Sequence, residues 1–139
     1  MSKNVKRIIC LLMSLLLLCS LNLVSSAETA VQPRFSYTAN ASISLAITTS
    51  GTAYCATDVQ GNNLATKVYI KMTLQKYTVL WWSKVESWEG TFNNVYGTLS
   101  ETAQVGSGRY RVKAEITVYS GSNSEEITEF SQEKKVTIS

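Results

Sequence analysis

The side chains able to carry chemistry in this sequence are few, because one residue type is missing: none of the 139 residues is histidine. Zinc, copper and haem sites of the usual kind lose their commonest ligand, and both Ser-His-Asp and Cys-His catalysis are excluded. Serines, lysines and carboxylates remain. Ser131-Gln132-Glu133-Lys134 has a Ser-x-x-Lys spacing. In penicillin-recognising enzymes that spacing works because a helical turn brings the lysine beside the serine; here the surroundings read as extended, and we expect a solvated loop. Glycosidases need two carboxylates across a cleft. Glu86 and Glu89 flank Trp88, and Glu125 and Glu126 adjoin a turn, but the connections are too short to wall a cleft. We read these groups as edge and loop charge, which discourages pairing with other chains. Asp58 is the only aspartate, too few for a Ca²⁺ loop, and no Gly-rich phosphate loop leads from a strand into a helix. The expectation is a non-enzymatic domain with no cofactor and no metal.

Aromatic side chains are the remaining binding chemistry. Trp81, Trp82 and Trp88 fall on one expected hairpin, near Tyr77, Phe92 and Tyr96. On an alternating strand Trp81 and Trp82 face opposite ways, while Trp82 shares a parity with Trp88. One of the adjacent pair should therefore be exposed. A surface tryptophan flanked by tyrosines stacks a sugar ring in sandwich-type carbohydrate-binding modules, and aromatics also anchor protein interfaces. Candidate ligand contacts are Trp81 and Trp88, with Tyr69 and Tyr119 extending the patch if their strands are neighbours.

The elements that would position these residues show period two, not 3.6. Val68, Ile70, Met72 and Leu74 alternate with Lys67, Tyr69, Lys71, Thr73 and Gln75, and Tyr110 to Val118 alternates in the same way against Arg109 to Tyr119. Both are half-buried strands. Val79 to Trp88 reads as another strand, closing a hairpin near Lys76-Tyr77-Thr78, and Val95 to Val105 as a further one. Turn signals at Ser50-Gly51, Gln60 to Asn63, Gly90 with Asn93-Asn94, Gly106-Ser107-Gly108 and Ser120 to Asn123 punctuate the chain. Ile127 lies out of phase with Phe130, Val136 and Ile138, which a bulge or break near Ser131 to Glu133 would reconcile. The regular spacing of the turns, with strands between, argues for an all-β sandwich or barrel. Strand centres at Ile43, Tyr54, Val68, Trp82, Leu99, Val112 and Ile127 give about seven strands over residues 40–139, the number in an immunoglobulin-like or fibronectin-like antiparallel β-sandwich, which is the fold we expect.

Ahead of it, Lys3, Lys6 and Arg7 precede an apolar run from Ile8 to Leu18, and small residues collect at Ser25, Ser26 and Ala27. That order is a helical signal peptide over residues 1–27, cleaved between Ala27 and Glu28, and it predicts secretion. Residues 28–39, with the only proline, read as a flexible lead. Cleavage leaves 112 residues with ten basic and ten acidic side chains. The formal charge of +3 belongs to the signal, so nucleic acid is not expected as a partner, nor a membrane after cleavage. Cys10 and Cys19 leave too, so no intramolecular disulfide can form. Cys55 shares a face with Ala53, Thr57 and Val59 and reads as a buried thiol.

Gly106-Ser107-Gly108-Arg109-Tyr110-Arg111-Val112 resembles the tyrosine corner of immunoglobulin-like folds, in which a tyrosine pins the crossover by bonding an upstream backbone group. The resemblance implies a structural role for Tyr110. Cys55 stands where such folds place the first cysteine and Val112 where they place the second, leaving a sandwich with half a disulfide. Four further segments, Lys71 to Lys76, Trp82 to Trp88, Gly108 to Lys113 and Val118 to Gly121, are similar to a group of small uncharacterised secreted proteins of Gram-positive bacteria. That likeness implies fold and compartment and brings no activity. The expected partner is a protein, alternatively a glycan; the oligomeric state is open.

Overall fold

Alternation of apolar and polar side chains gives each strand one face to bury, and two such sheets must close on each other. A computed structural model describes residues 35–139. The expected signal peptide, the Ala27–Glu28 junction and the start of the lead lie outside the described residues. The strands are β1 (Thr38–Ile47), β2 (Thr52–Gly61), β3 (Lys67–Thr78), β4 (Trp81–Phe92), β5 (Tyr96–Gln104), β6 (Gly108–Ser120), β7 (Asn123–Phe130) and β8 (Lys134–Val136). They form two antiparallel sheets, β1-β2-β5 and β4-β3-β6-β7, with β8 pairing β6. The fold is the expected immunoglobulin-like sandwich. All seven expected strand centres fall in β1 to β7 in order.

The core between the sheets is unequal. The second sheet supplies its bulk through Val68, Ile70, Met72 and Leu74 of β3 and Tyr110, Val112, Ile116 and Val118 of β6, all essentially buried. Opposite them β2 offers the small side chains of Ala53, Cys55, Thr57 and Val59. Each large apolar side chain so buried is worth roughly 1.5–3 kcal/mol. The Thr57 hydroxyl is accommodated by donating to the Met72 sulfur at 3.4 Å.

β8 resumes the edge that β7 began, after a break at residues 131–133 where the apolar phase changes. Ser131 holds that break and is buried, which corrects the expectation of a solvated loop. Its amide donates to the Val112 carbonyl at 2.9 Å. Its hydroxyl accepts from the Val112 amide at 2.8 Å and donates to the Gln132 carbonyl. One serine thus satisfies both backbone groups of Val112 where the ladder is interrupted.

The lead over residues 28–39 also needs correction where it is described. β1 begins at Thr38, and the chain just before it is held. The Ser36 amide donates to Glu125 Oε1, and the Tyr37 and Thr38 amides and the Thr38 hydroxyl donate to Oε2. Partial burial alone would raise the Glu125 pKa; the bonds from Ser36, Tyr37 and Thr38 outweigh it and hold the carboxyl below its ordinary value.

Candidate functional site

The four candidate ligand contacts do not form one patch, although the strands of Tyr69 and Tyr119 are neighbours. Tyr69 and Tyr119 lie on the outer face of the second sheet, diagonally across neighbouring strands: Tyr69 is opposite Thr117, and Lys67 is opposite Tyr119. Neither is free. The Tyr69 hydroxyl donates to Glu89 Oε2 at 2.7 Å, a bond that raises its pKa, and the Lys67 ammonium sits 4.0 Å over the Tyr119 ring. Trp88 is opposite Met72 and packs inward against the core. Trp82 is opposite Tyr77 on the outer face, despite sharing a parity with Trp88. The reason is a bulge in β4: Leu74 is opposite Glu86 and Gln75 opposite Lys84, so Val85 is the extra residue and every side chain beyond it changes face. Trp88 is therefore withdrawn as a ligand contact. Trp81 is the exposed member of the adjacent pair.

Tyr110 is buried, and its hydroxyl donates to the Gly106 carbonyl at 2.8 Å, closing the tyrosine corner. Cys55 lies in the core, where burial pushes its thiol up to about 11. A thiol so desolvated stays protonated and unreactive at neutral pH.

Trp81 ends the β3–β4 hairpin, whose two-residue turn is Val79-Leu80. Val79, Leu80 and Trp81 are 86%, 76% and 63% exposed. Val79 has φ 55°, and no other described residue except glycine has a positive φ. The Leu80 amide closes back onto the Thr78 carbonyl, making Val79 the centre of a γ-turn of the strained hand. A β-branched residue is poorly suited to that conformation. The hairpin thus carries apolar surface into water on a strained turn, two costs that Gly followed by a polar residue would avoid.

Behind this tip, on the outer face, cations and rings alternate. The Tyr77 and Trp82 rings stand 5.3 Å apart and tilted by 60°. The Arg109 guanidinium lies 4.1 Å over Tyr77, and Arg111 bridges Trp82 and Phe130 at 4.2 and 4.3 Å. Arg111 Nε also donates to Gln75 Oε1 at 2.8 Å, and Arg109 Nε pairs with Glu133 at 3.4 Å. With guanidinium groups over the Tyr77 and Trp82 rings, those rings do not present an open platform for a sugar.

The register also sorts the charges. Lys76, Lys84, Arg109, Arg111, Lys134 and Lys135 fall between the hairpin tip and the level of Gln75, accompanied by one acidic side chain, Glu133. From Leu74 toward the opposite end the same sheet carries Lys67, Lys71 and Lys113 against Glu86, Glu89, Glu115, Glu125, Glu126 and Glu129. Balanced composition conceals this segregation, because it appears only when the strands are placed in register.

Elsewhere the chemistry is sparse. A shallow depression of about 360 Å³ on the outer face of the first sheet is lined by Ser44, Ala46, Tyr54, Ala56, Ser100 and Thr102, with Glu101 its one carboxylate. Among the described residues no group of His, Cys, Asp or Glu side chains comes together in a way that could hold a metal ion. The fold places this chain among immunoglobulin-like antiparallel sandwiches. No family model and no curated protein matches it.

Proposed function

We propose that this is an exported, non-enzymatic interaction module that engages its partner through the β3–β4 end of the second sheet. The signal-like N-terminal segment and the likeness to small secreted Gram-positive proteins support export. The observation that carries the interaction reading is the Val79-Leu80-Trp81 tip, exposed and strained together. Strain and exposed apolar surface are retained at sites where they serve a contact. The depression on the first sheet lacks any such sign.

The test replaces the tip with the chemistry of the β6–β7 turn, Val79→Gly with Leu80→Ser. Labelled chain beginning at Glu28 is incubated with cells of the source organism and with their washed envelopes. Wild type is retained, and the variant is retained at least about tenfold less, as expected for loss of a central apolar anchor. Equal retention of the two, or retention of neither, overturns the proposal.

A further inference from the structure

We propose that the partner of this end is an anionic lipid surface, which the hairpin tip enters while the cations behind it lie among the headgroups. This rests on the interaction reading above and adds the partner's chemistry.

The first argument is shape. Three consecutive apolar side chains, each more than half exposed, project from the end of a two-residue turn, so the tip is suited to enter an apolar phase. The second is depth. Strands rise about 3.3 Å per residue, so Tyr77, Trp82 and Arg109 stand roughly 7 Å behind Val79, and Lys84 and Arg111 roughly 13 Å. Interfacial elements bury their apolar parts about 5–10 Å deep. A tip inserted that far brings the Tyr77 and Trp82 rings to the interface, where such rings concentrate in membrane proteins. It brings the cations level with lipid phosphates.

The third argument is charge. Six cations gather at this end, and the one acidic side chain among them, Glu133, is paired with Arg109. The neighbouring connections at the same end, Thr48 to Gly51 and Val105 to Ser107, bear no acidic side chain to repel an anionic surface. Lysine and arginine near such a surface draw a protein to it in a salt-dependent way. Net neutrality argues against an anionic partner only if the charges are mixed, and here they are not. Contact would be peripheral, since no helix among the described residues is long and apolar enough to cross a membrane.

All eight strands and the buried core lie within the described residues, so a chain beginning at Glu28 keeps the whole sandwich. The experiment mixes that chain with vesicles of equimolar phosphatidylglycerol and phosphatidylcholine, or of phosphatidylcholine alone, and reads co-sedimentation and tryptophan emission. Wild type binds the anionic vesicles, at least about tenfold better than the neutral ones, and rising salt releases it. Its emission shifts to the blue, and Trp81→Phe removes most of that shift. Val79→Gly with Leu80→Ser weakens binding at least about tenfold. Lys84→Glu with Lys134→Glu and Lys135→Glu, all at exposed positions, does likewise.

Absence of vesicle binding, while the tip variant still loses its hold on cells, overturns the lipid assignment alone and points to a protein with an acidic-rimmed apolar pocket. Vesicle binding indifferent to the tip variant overturns insertion. Failure on vesicles together with equal retention on cells removes both this inference and the interaction reading.

Discussion

The second sheet contains two hairpins closed by two-residue turns at opposite ends, and they answer one backbone problem in different ways. The β6–β7 turn is Gly121-Ser122, with φ 59° at the glycine. The β3–β4 turn is Val79-Leu80, with φ 55° at the valine. Glycine reaches that region without steric cost, and serine prefers water; valine and leucine contradict both demands. The surroundings differ as well. The glycine turn adjoins the Glu125 clamp on the carboxylate-rich half, whereas the valine turn stands over cations and the tilted Tyr77–Trp82 pair. A turn needed only to join two strands follows the first solution, so the second is best understood through what it touches.

The sharpest contrast is between two tryptophans of β4, Trp81 at the valine turn and Trp88 in mid-strand opposite Met72. Trp88→Ala removes an indole packed against the core and should cost about 3 kcal/mol. Trp81→Ala should change stability by no more than about 0.5 kcal/mol. Urea denaturation of both variants checks this, and equal costs would mean that the bulge at Val85 does not turn Trp88 inward. Next in size is the reverse transplant. Gly121→Val with Ser122→Leu imposes the strained solution on the other end and should lose about 1–3 kcal/mol, read by the same titration. It should create no affinity for anionic vesicles, because the carboxylates there repel them.

The Glu125 clamp gives a smaller effect with a distinctive pH dependence. Glu125→Gln should cost about 1–2 kcal/mol at pH 7, since charged hydrogen bonds to three residues are weakened at a partly exposed site. The folded pKa of Glu125 lies below its unfolded value near 4.5. Its contribution is therefore fully present above that pH and is lost as pH falls through the folded value. The gap between wild type and variant should hold from pH 7 to 5 and close below about pH 4.5. A gap independent of pH would show that the carboxylate charge is irrelevant to the clamp.

These contrasts also explain which features could be read from sequence. The β6–β7 turn was legible because Ser-Gly-Ser-Asn is turn chemistry, and the strand faces of β3 and β6 because alternation is unbroken. Val79 and Leu80 look like strand residues, which pushed the expected hairpin back to Lys76-Tyr77-Thr78. No glycine or asparagine marks the bulge at Val85, so parity placed Trp82 and Trp88 on one face and the structure separates them. The Glu125 clamp joins residues 87 to 89 positions apart. The charge segregation likewise depends on which strands pair, and composition averages it away.

The most direct test of the central claim measures stability and binding on one variant. Val79→Gly with Leu80→Ser relieves the turn and removes exposed apolar surface. Thermal denaturation should therefore show a melting temperature equal to or above wild type, while retention on cells falls at least about tenfold. A melting temperature below wild type with retention unchanged would contradict the account: the apolar turn would then serve the fold and not a partner.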